Sequence, residues 1–112
     1  MEYTVKIYQT STGKSPFNEW LLDLSDRKAK AAIHLRIERL RTGLFGDCKV
    51  LGAGIFELKL DIGPGYRVYF SKTGTTIILI LSAGSKKNQQ KDISLSKKYF
   101  EDYKVRIGGK NT

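Results

Sequence analysis

The stretch FELKLDIGPGYRVYF, residues 56–70, decides the fold. Phe56, Leu58, Leu60 and Ile62 fall on one side of a period-two pattern, and Glu57, Lys59 and Asp61 fall on the other. Gly63-Pro64-Gly65 is a strong turn signal. Beyond it Tyr66, Val68 and Phe70 alternate with Arg67 and Tyr69. The pattern predicts an antiparallel hairpin with an apolar and a polar face. With Gly63–Gly65 as the loop, Ile62 faces Tyr66, which sets Asp61 opposite Arg67 and Lys59 opposite Tyr69. Opposed side chains lie ~4.5–5.5 Å apart at Cβ, so Glu57, Lys59, Asp61, Arg67 and Tyr69 make one polar patch.

Downstream, after a Thr73-Gly74 turn, Ile77 to Leu81 is continuously apolar, as in a central strand covered on both faces. Upstream, Cys48-Lys49-Val50 reads as a further short strand. Tyr3 to Tyr8 alternates as a half-buried strand. Between them lie two helices. Ser15-Pro16 opens the first, with Phe17, Trp20, Leu21 and Leu24 on one stripe. Ser25-Asp26 opens the second and Gly43 ends it. Ala29, Ile33, Ile37 and Leu40 form its buried face, and Lys28, Lys30, Arg36, Arg39 and Arg41 decorate the remainder. A last helix spans Asn88 to about Val105, with Ile93, Phe100 and Tyr103 inward and Leu95 and Tyr99 beside them. The class is α+β: one mostly antiparallel sheet of four to five strands, an N-terminal helical hairpin and a C-terminal helix packed on it.

The chain has 112 residues, the size of one domain; the reading is a single domain over 1–107 and a flexible tail over 108–112. A hydrophobic content of 40% and an aromatic content of 11% set it apart from disordered chains. Lys and Arg number 20 against 11 Asp and Glu, a net charge of +9, and so basic a domain calls for a polyanionic partner. The single Cys48 excludes an internal disulfide and a thiolate zinc site, and the only histidine is His34, read as a surface or boundary residue. No metal or cofactor is expected. No apolar run approaches the ~20 residues of a membrane span, and the opening residues do not resemble a signal peptide. A cytoplasmic protein without membrane contact is the expectation.

Gly84 to Lys91 adds Lys86, Lys87 and Lys91 where the central strand gives way to the last helix. Free amides at that helix start can receive a phosphate. Alternating charges on a hairpin are usually just its solvated side. Together with the +9 charge, though, cations interleaved with tyrosines suit single-stranded RNA, because rings stack on bases and cations hold phosphates.

These residues also carry a family likeness. Glu57-Leu58-Lys59, the run Gly63 to Phe70, the run Ser82 to Ile93 and then Lys98-Tyr99-Phe100 and Tyr103 resemble the RelE/HigB-type toxins of bacterial type II toxin–antitoxin modules, in the phage-related subgroup called addiction-module killer proteins. The resemblance covers about Tyr3 to Tyr103. It implies a RelE-like fold and a metal-independent endoribonuclease that cuts mRNA on the translating ribosome. It also implies neutralisation by a helix-turn-helix antitoxin, with a heterotetramer as one assembly it allows. By position it implies catalytic roles for Lys59, Arg67 and a loop lysine, Lys87 or Lys86. Tyr69, Lys86, Lys91, Tyr99 and Tyr103 are the candidate RNA-binding residues, and Tyr99, Tyr103 and Asp92 are candidates for the terminal catalytic group.

The implied reaction is transesterification, in which the ribose 2′-hydroxyl attacks the adjacent phosphate. It needs a base, cations for the phosphorane and an acid for the leaving 5′-oxygen. Lys59 is the candidate base and Arg67 the candidate clamp, since a guanidinium fork matches two phosphate oxygens. Two alternatives stand beside it: a non-catalytic basic nucleic-acid-binding module, and a gyrase-poisoning relative of the same fold.

Overall fold

The computed structural model describes residues 2–110, without the side chains of 109 and 110. Five strands and three α-helices follow one another as β1 (Thr4–Ile7), α1 (Pro16–Asp23), α2 (Arg27–Arg41), β2 (Cys48–Gly52), β3 (Ile55–Leu60), β4 (Tyr66–Thr73), β5 (Ile77–Ser85) and α3 (Gln89–Lys110), with a short 3-10 turn at Lys86–Asn88. The sheet order is β1-β5-β4-β3-β2. Only the β1–β5 pair is parallel.

Local chemistry explains the helical hairpin. Ser15 Oγ accepts from the Asn18 amide at 3.2 Å, and Pro16 opens α1, where a missing N–H costs nothing. Asp26 Oδ1 accepts from the Ala29 amide at 3.0 Å and starts α2. Phe17, Ala29, Ile33 and Leu40 then bury against Leu58, Leu60, Val68, Phe70, Ile78 and Ile80 on one face of the sheet. On the other face Phe100 of α3 packs with Tyr8, Ile55, Tyr69, Leu79 and Leu81. The layers are therefore hairpin, sheet and α3, and β5, buried along most of its length, is covered on both sides.

Three expectations are corrected. First, the β3–β4 register pairs Lys59 with Arg67, Glu57 with Tyr69 and Leu60 with Tyr66, two residues from the expected pairing. Asp61 and Ile62 belong to the turn: the Gly65 amide donates to Ile62 O at 2.9 Å, and Gly65 sits at φ 84°, a conformation that favours glycine. Because the slip is an even number, every side chain keeps its face. Second, Arg36 does not decorate the surface of α2. Its guanidinium donates to Lys59 O, Phe45 O and Asp47 O at 2.8, 3.3 and 3.2 Å, and ties α2 to β3 and its approach loop. Third, α3 does not end near Val105 but runs to Lys110, so the expected tail is helical over 108–110; Asn111 and Thr112 lie outside the described residues.

Strand β5 also continues past Leu81 to Ser85. A register irregularity between Tyr69 and Phe70 leaves Leu81 unpaired between Ile80 and Ser82. This extension carries Ser82 and Gly84 under the start of α3.

Candidate nucleic-acid interface

The face of the sheet beneath α3 is divided. Its lower half is apolar, with Ile55, Leu79, Leu81 and Tyr8 around Phe100. Its upper half carries Glu57, Arg67, Ser82 and Gly84, and the first two turns of α3 lie over it. Ser96 and Ser82 share a hydrogen bond of 2.9 Å there. The expected polar patch exists, but it is largely roofed: Glu57 is 3% exposed, Arg67 5% and Tyr69 0%.

Arg67 is the centre of this region. In register it lies between Lys59 on β3 and Gly84 on β5. Its Nη1 donates to Tyr66 O at 3.1 Å. Its Nε lies 3.9 Å from Glu57 Oε1 and makes no hydrogen bond. Glu57 in turn accepts at Oε2 from Gln89 Nε2, 2.8 Å away, at the first residue of α3. Lys86 reaches the same corner: its amide donates to Gly65 O at 2.9 Å. A Cβ on Gly65 would lie 3.5 Å from Lys86 Cβ and 3.6 Å from Arg67 Nη1. Lys59 is thus the strand partner of Arg67, and Lys86 and Arg67 both border Gly65.

Acidic neighbours hold two of these cations. Arg67 faces Glu57, and Lys59 Nζ, on a half-exposed side chain, lies 3.8 Å from Asp61 Oδ1. Lys86, Lys87 and Lys91 are exposed, and none of them forms an ion pair among the described residues.

The tyrosines are placed differently from one another. Tyr69 lies inside the α3-side core, and its hydroxyl has no hydrogen-bond partner. Burial first, then the charges of Glu57 and Asp92, push that phenol up. The Tyr99 ring stacks on Tyr8 at 5.1 Å, and burial pushes its phenol up too. Tyr103 is partly exposed at the rim of the same core. None of these rings stands free as a stacking platform.

Asp92, in the first turn of α3, sits directly over Gly84. A Cβ at Gly84 would collide with its carboxylate. Asp92 Oδ2 is buried without a partner, and burial pushes the carboxyl up, partly offset by Lys91. Sequence reasoning missed Gln89 as the partner of Glu57 and missed the roof itself. The available signal was Asp92 and Ser96, polar residues four apart on the inner stripe of α3, matching a polar half of the sheet.

Elsewhere, His34 is exposed and lines a cleft of about 400 Å³ in the hairpin layer with Asn18, Leu21, Leu22 and Lys30. Cys48 is half-buried, and burial pushes its thiol up. No helix is long and apolar enough to cross a membrane, and no cluster of three His, Cys, Asp or Glu side chains is arranged to hold a metal ion, both among the described residues.

The fold and this basic corner define a small α+β domain with a buried arginine roofed by its C-terminal helix. No family model matches the chain. It is 44% identical over 94 residues to an uncharacterized protein of Haemophilus influenzae, a match spanning 84% of this chain and 91% of that protein. The chain belongs to the same family as that protein.

Proposed function

We propose that this protein is the toxin of a toxin–antitoxin pair of the RelE/HigB type, a ribosome-dependent mRNA endoribonuclease that halts translation. The observation that supports the reading is the placement of Arg67 between its strand partner Lys59 and Lys86, which borders Gly65 with it. In the proposed reaction the 2′-hydroxyl gives its proton to a base as its oxygen bonds to phosphorus. The bond from phosphorus to the 5′-oxygen breaks, and a general acid protonates that oxygen. The products are a 2′,3′-cyclic phosphate and a 5′-hydroxyl. Lys59, the candidate base, takes the 2′-hydroxyl proton, and Arg67 and Lys86 supply positive charge where the phosphorane gathers its negative charge. The family likeness supplies the ribosome and a helix-turn-helix antitoxin as partners, and the cytoplasm as the site of action.

One observation favours the second reading, a basic module that binds nucleic acid without cutting it. Arg67 is roofed by α3 and paired with Glu57, so a phosphate must displace a carboxylate to reach it.

Purified protein incubated with translating ribosomes, followed by mapping of new mRNA ends, separates the two. The nuclease reading expects new 5′-hydroxyl ends that fall by ~10²-fold or more in a Lys59→Ala, Lys86→Ala double variant, since loss of transition-state donors has that scale. Binding without new ends would sink it in favour of the second reading. Both lysines are at the surface, so the variant tests chemistry rather than folding.

A further inference from the structure

The charges along α3 are segregated. In its C-terminal half, among the described side chains, Lys104 pairs with Glu101 at 3.1 Å and Arg106 with Asp102 at 2.8 Å. In its N-terminal half Lys91 and Lys98 are exposed and form no ion pair among the described residues, as is true of Lys87 in the preceding turn. Lys91 and Lys98, seven residues apart, lie on one stripe of α3 about 10 Å apart along its axis, and Lys87 lies in the 3-10 turn just before it.

The stripe runs against helix electrostatics. A helix start carries roughly half a positive charge and favours anions, while cations stabilise the far end. Here Lys86 and Lys87 precede the first turn and Lys91 sits within it on the exposed side, while Asp92, the one acidic residue of that turn, faces inward over Gly84; on the outer side, lysines and amides add positive potential at the same end. That end lies over Arg67, whose buried Nε faces Glu57 Oε1 at 3.9 Å, so the Arg67 charge is offset and the exposed lysines carry the potential. The exposed cations without an ion pair therefore run from Lys86, beside the Gly65 turn, out to Lys98.

We propose that the Lys87–Lys91–Lys98 stripe is a track for the phosphate backbone of a single strand of nucleic acid, extending the binding site by two turns of α3 beyond the Arg67 corner. The inference rests on the RNA reading above and adds Lys98 to the residues that touch the strand. Its recognition is by charge alone, because the other exposed residues between Lys87 and Lys98, namely Asn88, Gln90, Ser94 and Lys97, offer no ring on which a base could stack.

The test is the salt dependence of binding to a labelled 2′-O-methyl RNA dodecamer, which cannot undergo 2′-hydroxyl attack. Each phosphate contact on a single strand contributes about 0.7 to the slope of log affinity against log salt. A Lys91→Ser, Lys98→Ser variant is expected to lower the slope by about 1.4, and a Lys28→Ser, Arg39→Ser variant on α2 is expected to leave it unchanged. An equal fall in both variants, or no fall in the first, overturns the track while leaving the RNA reading intact. Equal displacement of the RNA by polyglutamate of matched charge overturns it in favour of an acidic protein. Absence of salt-dependent binding by the unaltered protein overturns both the track and the RNA reading.

Discussion

Arg67 Nε stands 3.9 Å from Glu57 Oε1, with the two side chains 6% and 4% exposed. An ion pair so enclosed offsets a large desolvation cost on each side, and removing one member strands the other. Arg67→Leu is expected to destabilise the protein by about 3–5 kcal/mol, while the double variant with Glu57→Leu recovers most of that loss. Urea unfolding of the two single variants and the double measures the coupling. Additive losses would mean that the charges do not sense each other.

Gly84 is held to glycine by Asp92. Gly84→Ala forces a methyl group into the space of the Asp92 carboxylate, and overpacking of this kind costs about 1–3 kcal/mol. Adding Asp92→Ala makes room, so the double variant is expected to be more stable than Gly84→Ala alone. Thermal unfolding of the three proteins reads the difference.

Asp92 also sets a direction for pH dependence. Burial raises its folded-state pKa above the ordinary value of 3.8, so between those two values the folded chain binds more protons than the unfolded one. Stability from this group therefore falls as pH rises through that window. Asp92→Asn removes the effect, and its stability relative to the parent is expected to climb from pH 4 upward. Asp102 works in the opposite sense. The hydrogen bond from Tyr8, then that from Arg106, holds its carboxyl below the usual range, so its contribution is present above that range and lost on acidification. Parallel titrations of the Asp92 and Asp102 variants give slopes of opposite sign.

Tyr69 carries a buried hydroxyl beside the Glu57 carboxylate that makes no well-formed hydrogen bond. Burying such a group costs about 1–3 kcal/mol, so its removal relieves a penalty. Tyr69→Phe is expected to unfold within about 1 kcal/mol of the parent or to be more stable. A loss above about 2 kcal/mol would show that the hydroxyl is hydrogen-bonded in solution.

The sequence was most informative where a short-range pattern decides burial. The alternation across residues 56–70 assigned every hairpin side chain to its correct face, although the pairing was displaced by two, because turn closure by Gly65 and Ile62 depends on backbone geometry that composition does not express. Ser15 and Asp26 marked the helix starts through local hydrogen bonds that involve only neighbouring residues. Arg36 was misplaced because its three acceptors are backbone carbonyls of distant residues, which leave no trace in sequence. The roof over Arg67 was hidden for the same reason: Gln89 and Glu57 are 32 positions apart, and their bond exists only once α3 lies on the sheet.

The parallel strand at the sheet's edge governs the order of assembly. Thr4 pairs with Ile77, and the Tyr8 hydroxyl reaches Asp102 across 94 positions of chain. Contacts of such span form late, after the loop between them has closed. During synthesis the opening strand must wait for β5, and the arginine corner must wait for α3 to emerge. Until α3 lies on the sheet, Arg67 has no roof and Glu57 lacks the Gln89 amide that it accepts from.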